Sequence, residues 1–399
     1  MHVTFLVPSG HGHLNPTLGV VAELVRRGHR VTYPVPEAFT GAIEAVGAEP
    51  VLYDSPIHRM SGPPRQVTGS FFANFQLRLL NEAVAMAPVL EKRLAGDRPD
   101  LISFDAMGPF AARVLSHTWR RPLVAMVPSL VSNEHFSLWG AFARHAVAAP
   151  TDDDPVIIEL RERFATFATG HGVPSEQVDA MAAPFSPAAE PQIVFVPRWF
   201  QPAADTFDHR YVFVGPCLTD RDHQGEWQPA GIGPVLLISL GTAFNERPEF
   251  FRTCAEAFAD TLWQVVMSIG TRIDPSELGR LPGNVAAHRH VAQLQVLRHA
   301  SAFVSHGGMG STMEALYHGV PLVAVPQMPE QEVNAGRIAE LGLGRMLQPD
   351  DVTAAALHTA VVELAADGPT RARLAERSRQ LRVTDGAALA ADTMEAHAT

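Results

Sequence analysis

Nine consecutive residues, His306-Gly307-Gly308-Met309-Gly310-Ser311-Thr312-Met313-Glu314, hold a histidine, three glycines, two hydroxyls and a carboxylate, with Glu330-Gln331 shortly after. Residues 301–305 read as a buried strand and the run from Ser311 as a helix. A glycine-rich turn between the two leaves backbone N–H groups at the positive end of a helix, a setting that suits a phosphate. A histidine at the strand end adds a hydrogen bond, and Glu314, three positions beyond Ser311, can accept two sugar hydroxyls. The chemistry this points to is recognition of a nucleotide diphosphate carrying a further group.

A second constellation lies near the N-terminus. The loop Ser9-Gly10-His11-Gly12-His13-Leu14-Asn15 resembles half of a dinucleotide fingerprint, but Asn15 stands where the third glycine belongs and the usual acidic residue is missing. Hydride transfer is therefore poorly supported. His13 follows a strand and can act as a general base near neutral pH. Asp105 follows another strand and could orient that imidazole and stabilise its cation. Alone, the histidine passes for a core or capping residue and the aspartate for a helix cap; at matching strand ends the pair favours catalysis. His11 and His13 do not share a helix face, and no His/Cys/Asp cluster has metal spacing, so no metal site is expected.

Strand-like runs at 2–8, 30–35, 49–53, 100–104 and 122–127 alternate with helical patterns. Asn15 and Pro16 suit the N-terminus of the first helix and Gly28 its end. A helical stretch spans 133–181, and strands at 192–197 and 211–215 close this half. Residues 217–234 are polar and loop-like. Strands at 235–239, 264–269, 284–287, 302–305 and 322–325 restart the alternation, and 352–398 is helical. Such alternation predicts an α/β fold with two doubly wound, Rossmann-like domains of parallel sheet. The expected limits are 1–217, a linker 218–234, 235–384, and a C-terminal helix 385–399. Ligands of such sheets sit beyond the carboxyl ends of the strands, which places a cleft between two facing domains.

With 399 residues, 46% of them hydrophobic, the chain is long enough for two cores. Its net charge of −11 argues against a nucleic-acid partner. Two cysteines, Cys217 and Cys254, form no disulfide framework. With no signal-peptide pattern and no membrane-length apolar run, a cytoplasmic location is expected. Ser239-Leu240-Gly241-Thr242 offers a glycine for close ligand approach and a hydroxyl for a phosphate. His290-Val291-Ala292-Gln293 could give a ring for base stacking and an amide for a uridine. Phe71, Phe72, Phe75, Met107, Phe136, Trp139 and Phe142 are candidates for an apolar acceptor pocket, shared with a core role.

Together, Gly12-His13-Leu14-Asn15-Pro16, Asp105, the run ending at Thr242 and the His306–Glu314 segment with Glu330-Gln331 resemble the inverting UDP-glycosyltransferase family. The similarity is greatest to its bacterial macrolide glycosyltransferases and covers essentially the whole chain. The resemblance implies a GT-B architecture, with acceptor in the first domain, sugar nucleotide in the second, and a final helix returning to the first. It implies His13 as base and Asp105 as its partner. His306, Gly308, Gly310, Ser311, Thr312 and Thr242 would meet the pyrophosphate. Glu314 would hold the ribose with Gln293 nearby, and Glu330 and Gln331 the hexose. Plant relatives carry tryptophan where His290 stands, and many relatives have aspartate in place of Glu330.

The expected function is transfer of a hexose, glucose first, from a UDP-sugar to a macrolide or similar apolar molecule, with no cofactor, and a role in antibiotic inactivation. Alternatives are a flavonoid or phenol glucosyltransferase, a TDP-sugar enzyme of antibiotic biosynthesis, and a UDP-sugar epimerase, which would turn over without acceptor. A non-catalytic two-domain binding protein would in most settings carry a secretion signal.

Overall fold

The computed structural model describes residues 1–58, 69–138, 140, 151–182, 190–221 and 224–398. Trp139 and Phe142 lie outside these residues. The chain divides into two compact units: the N-terminal part to Thr219 together with Asp385–Thr399, and Asp220–Thr384.

The first unit holds a seven-stranded sheet in the order β3-β2-β1-β4-β5-β6-β7, every pairing parallel. The strands are β1 (His2–Leu6), β2 (Arg30–Val35), β3 (Glu49–Leu52), β4 (Leu101–Asp105), β5 (Leu123–Val127), β6 (Gln192–Val194) and β7 (Tyr211–Phe213). Successive side chains alternate between two buried faces, as the strand period demands. Val3 and Phe5 join Leu14, Leu18 and Val21 of helix α1 (His11–Arg26), while Leu6, Ile102 and Phe104 join Leu80 and Leu90 of α3 (Gly69–Arg93) and Phe110 of α4 (Phe110–Trp119). Helix α2 (Thr40–Ala45) connects β2 to β3. With both faces covered, these strands read as continuous apolar runs.

Three local expectations change. Helix α1 begins at His11, a turn before Asn15, because the Gly10 carbonyl accepts from the His13 and Leu14 N–H groups. Pro16 thus lies in the second turn, inside the helix and not at its first position, where it cannot donate to the Gly12 carbonyl. Within the stretch read as helix from 133, residues 133–136 instead form a tight turn, with the Asn133 side chain accepting from the His135 and Phe136 N–H groups. The described helices there are α5 (Pro155–Gly170) and α6 (Ser175–Ala182).

The second unit holds the order β10-β9-β8-β11-β12-β13, again all parallel. Its strands are β8 (Val235–Ser239), β9 (Gln264–Ser268), β10 (Val285–His288), β11 (Ala300–Ser305), β12 (Leu322–Ala324) and β13 (Gly344–Met346). The short edge strand β13 carries no sequence signal of its own. Helices α7 (Pro248–Ala257), α8 (Gln293–Leu297), α9 (Met309–His318), α10 (Pro329–Glu340), α11 (Ala354–Ala366) and α12 (Gly368–Val383) complete the unit. The 352–398 stretch is thus broken, at Asp367 and Asp385, each accepting an N–H of the helix that follows. The last piece, α13 (Gly386–His397), packs on α1, where Arg27 bridges Asp392 and Glu395. Among the described residues no helix is long and apolar enough to cross a membrane.

In both sheets the strand order reverses at one place: between β1 and β4 in the first unit, and between β8 and β11 in the second. Neighbouring loops there diverge to opposite faces, opening a crevice at the carboxyl ends where ligands of such sheets bind.

Candidate active site

His13 and Asp105 occupy the reversal point of the first sheet. Leu6 at the end of β1 is in register with Phe104, so the chain beyond both strands emerges at one edge. His13 Nδ1 lies 2.7 Å from Asp105 Oδ2. A carboxylate only accepts, so Nδ1 carries the hydrogen and Nε2 carries the lone pair. The other carboxylate oxygen takes the Met107 N–H at 2.9 Å, which fixes the group. Asp105 is 2% exposed at its side chain and His13 22%, so the aspartate is a buried support and the imidazole can reach a substrate. Such a pair can take a proton from a hydroxyl and stabilise the resulting cation.

The turn that leads into α1, and so to His13, is held at Ser9 by a residue that sequence reasoning missed. Glu82 of α3, buried at 2% exposure, accepts on one oxygen from Tyr53 (2.5 Å), Ser55 (2.6 Å) and Ser9 (2.8 Å), and on the other from the Ile57 N–H. Burial, and then the adjacent Glu82 carboxylate, push the Tyr53 hydroxyl pKa up, so the tyrosine remains a donor. A glutamate flanked by the apolar residues Leu79, Leu80, Ala83 and Val84 of α3 was the available signal, since a buried charge demands partners.

The second unit repeats the design at its own reversal point. Ser239 and Ser305 are register partners at the ends of β8 and β11. Each turns its hydroxyl oxygen to the N–H two residues on, Gly241 and Gly307, both at 3.2 Å. Gly241 and Gly307 have φ of +76° and +79°, conformations that favour glycine. Between the two turns sits the His306 ring. A Cβ at Gly241 would lie 2.6 Å from ring atoms Cε1 and Nε2, and one at Gly308 would be 2.9 Å from Cε1 and closer to Nε2. The space at Gly241, expected to admit a ligand, thus admits the histidine. Burial lowers the His306 pKa to about 4, against a partly compensating hydrogen bond to the Ser239 backbone. The ring is therefore neutral near pH 7 and contributes a hydrogen bond, not a charge.

Helix α9 starts immediately after, capped by Gly308, whose carbonyl accepts the Thr312 N–H. The N–H groups of its first turn have no partner within the helix, as at any helix start, and favour an anion. The Thr312 hydroxyl is buried without a partner. Gln293 at the start of α8 donates to Glu314 at 2.6 Å and to Ser311 at 3.3 Å, drawing three predicted residues together. Glu330 accepts from Asn334 at 2.7 Å, and Asn334 also donates to the Gly307 carbonyl, tying the glycine turn to α10. Gln331 is buried and caps the Gln327 N–H. Asn334, one helical turn after Glu330, was not singled out beforehand.

Other predicted residues are less engaged. Thr242 and His290 are exposed, and Val291 and Gly310 are half-buried. Phe72 meets Phe71 edge to face at 5.5 Å, Met107 packs on the core beside α3, and Phe136 is half-exposed in the 133–136 turn. Arg221, inside the segment read as linker, is buried, and its guanidinium contacts Glu314 at 2.7 Å. Among the described residues no group of three or more His, Cys, Asp or Glu is arranged to hold a metal.

Two parallel α/β units, a histidine–carboxylate pair in one and a glycine-rich anion turn in the other define a glycosyltransferase of the GT-B architecture. The calicheamicin glycosyltransferase CalG4 superposes with a TM-score of 0.82 at 40% identity, covering 99% of this chain and 98% of that one. Residues 256–387 match the erythromycin biosynthesis protein CIII-like C-terminal domain. An NDP-glycosyltransferase of Bacillus licheniformis, YjiC, is 41% identical over 99% of this chain and 97% of its own. The oleandomycin glycosyltransferase of Streptomyces antibioticus is 37% identical over 99% and 90%. The chain belongs to the bacterial macrolide glycosyltransferases of the UDP-glycosyltransferase family.

Proposed function

We propose that this glycosyltransferase is inverting and metal-independent and moves a glucose from UDP-glucose to a hydroxyl of a macrolide or similarly apolar natural product, blocking that hydroxyl and so inactivating the compound. His13 Nε2 takes the acceptor proton as the oxygen attacks the anomeric carbon, and Asp105 stabilises the imidazolium. The bond to the diphosphate breaks as the new C–O bond forms, so an α-linked donor gives a β-glycoside. The leaving diphosphate is met by the first-turn N–H groups of α9, the Thr312 hydroxyl and neutral His306, fixed dipoles that need no reorganisation. Glu314 and Gln293 hold the ribose, and Glu330 and Gln331 the hexose. The reaction takes place in the cytoplasm and needs no cofactor beyond the nucleotide sugar.

The observation that supports this most is the 2.7 Å His13–Asp105 contact, with the second carboxylate oxygen held by Met107. The test is turnover of UDP-glucose with a panel of macrolides and phenols, comparing wild type with His13→Ala and Asp105→Asn. His13→Ala is expected to lower kcat by about 10²–10⁴ while UDP binding, measured by calorimetry, stays the same. Undiminished turnover in His13→Ala would remove the base assignment. A retained α-configuration in the product would remove the inverting mechanism.

A further inference from the structure

The segment leaving the first unit does more than connect. Asp220 pairs with Arg298 at the end of α8 at 2.7 Å, and Trp227 lies 5.9 Å from the His299 ring. Between these contacts Arg221 turns inward, with a φ of +52° that L side chains seldom adopt. Its guanidinium Nη1 reaches Glu314 Oε1 at 2.7 Å, with the two side chains only 4% and 6% exposed. Nε, two bonds from that contact, is buried without a partner. On the opposite oxygen, Oε2, Glu314 accepts from Gln293 at 2.6 Å.

The two donors divide the carboxylate between them. A carboxylate offers about four acceptor positions, two per oxygen. Arg221 uses one on Oε1 and Gln293 one on Oε2, leaving one position on each oxygen. That remainder matches a vicinal diol, whose two hydroxyls each donate one hydrogen bond. A buried carboxylate with only Gln293 to hold it would keep neither this orientation nor a compensated charge.

We infer that Arg221 is a positioning residue which holds Glu314 as a two-point acceptor and thereby sets the preference of the donor site for ribose over 2′-deoxyribose nucleotides. This rests on the proposed assignment of Glu314 to the pentose. A ribose gives the carboxylate two hydroxyls and a 2′-deoxyribose gives one, so fixing the carboxylate rewards the ribose selectively. A role in folding alone would weaken both nucleotides equally.

The probes are UDP and 2′-deoxy-UDP, which differ only in that hydroxyl, titrated calorimetrically into the full chain. Wild type is expected to prefer UDP by about tenfold or more, the worth of one hydrogen bond to a charged acceptor. In Arg221→Met the preference should fall below about threefold, chiefly through weaker UDP binding. A wild-type preference below about threefold overturns the inference. So does a folded Arg221→Met protein with the wild-type ratio, or one in which both affinities fall by the same factor. If Arg221→Met does not fold, Arg221→Lys retains the charge without the fixed planar fork. Its ratio should drop by about threefold, and an unchanged ratio counts against the role. Wild type that binds neither nucleotide removes the donor-site assignment and this inference with it.

Discussion

Gly241 and Gly308 both face the Cε1–Nε2 edge of the His306 ring, yet substituting them tests different physics. Gly308 has φ −61° and ψ 143°, ordinary for alanine, so what Gly308→Ala meets first is the ring, without backbone strain. Overpacking of that kind costs about 1–3 kcal/mol. Gly241 has φ +76°, so Gly241→Ala meets the ring and also carries about 1–2 kcal/mol of left-handed backbone strain. Removing the ring by His306→Ala should therefore abolish the Gly308→Ala penalty, giving a coupling of about −2 kcal/mol in the double-mutant cycle. The Gly241→Ala penalty should shrink but keep about 1–2 kcal/mol. The assay is urea unfolding of the four single and double variants beside wild type and His306→Ala, followed by circular dichroism. If both alanines cost the same with the ring present and absent, His306 is not what these glycines accommodate. Persistence of the full Gly308→Ala penalty in the His306→Ala background would refute the packing directly.

Burial lowers the pKa values of His2, His306 and His318 to about 4, with Arg30 and Arg382 adding to the effect at His2 and His318. Folded protein then binds fewer protons than unfolded chain between about pH 4 and 6.5, so stability rises with pH across that window and is lost on acidification. For His306 the gap from 6.5 to about 4 corresponds to about 3 kcal/mol; His306→Gln should flatten the slope of urea stability against pH, and an unaltered slope would contradict its burial as a neutral ring. Gly19 of α1 lies against the Cys217 backbone, where an added Cβ would stand 2.8 Å from the carbonyl carbon. Backbone cannot yield as a side chain can, so Gly19→Ala should cost about 3 kcal/mol by urea titration, and a cost below about 1 kcal/mol would show that α1 can shift.

The fold was legible because parallel sheets bury both faces. Strands such as β4, with every residue buried, leave an apolar run that needs no alternation to be seen. Limits set by hydrogen bonding were less visible. The start of α1 depends on the Gly10 carbonyl, and the 133–136 turn on the Asn133 side chain, neither of which is a matter of hydrophobic pattern. Edge strand β13 has three half-buried or exposed residues, so its composition does not separate it from a loop.

At the candidate site, sequence could supply residues whose type suggests a chemistry: His13, Asp105, His306 and Glu314. It could not supply those that act by holding others. Glu82, Asn245, Asn334 and Arg221 lie 73, 4, 27 and 93 residues from the groups they bind, Ser9, Gly241, Gly307 and Glu314, and no spacing rule joins most of those pairs. What they share is burial of a polar group that must be paired; Asn245, for example, gives its amide to the Gly241 carbonyl at 2.8 Å. The same logic gives two glycines a structural part. In the sequence Gly241 signalled room for a ligand and Gly308 a contact to the pyrophosphate, whereas in the fold their missing side chains make room for His306. The seat is thus built by subtraction: each glycine removes bulk so that the histidine ring fits between the two turns. A substitution at either glycine would accordingly displace the histidine ring.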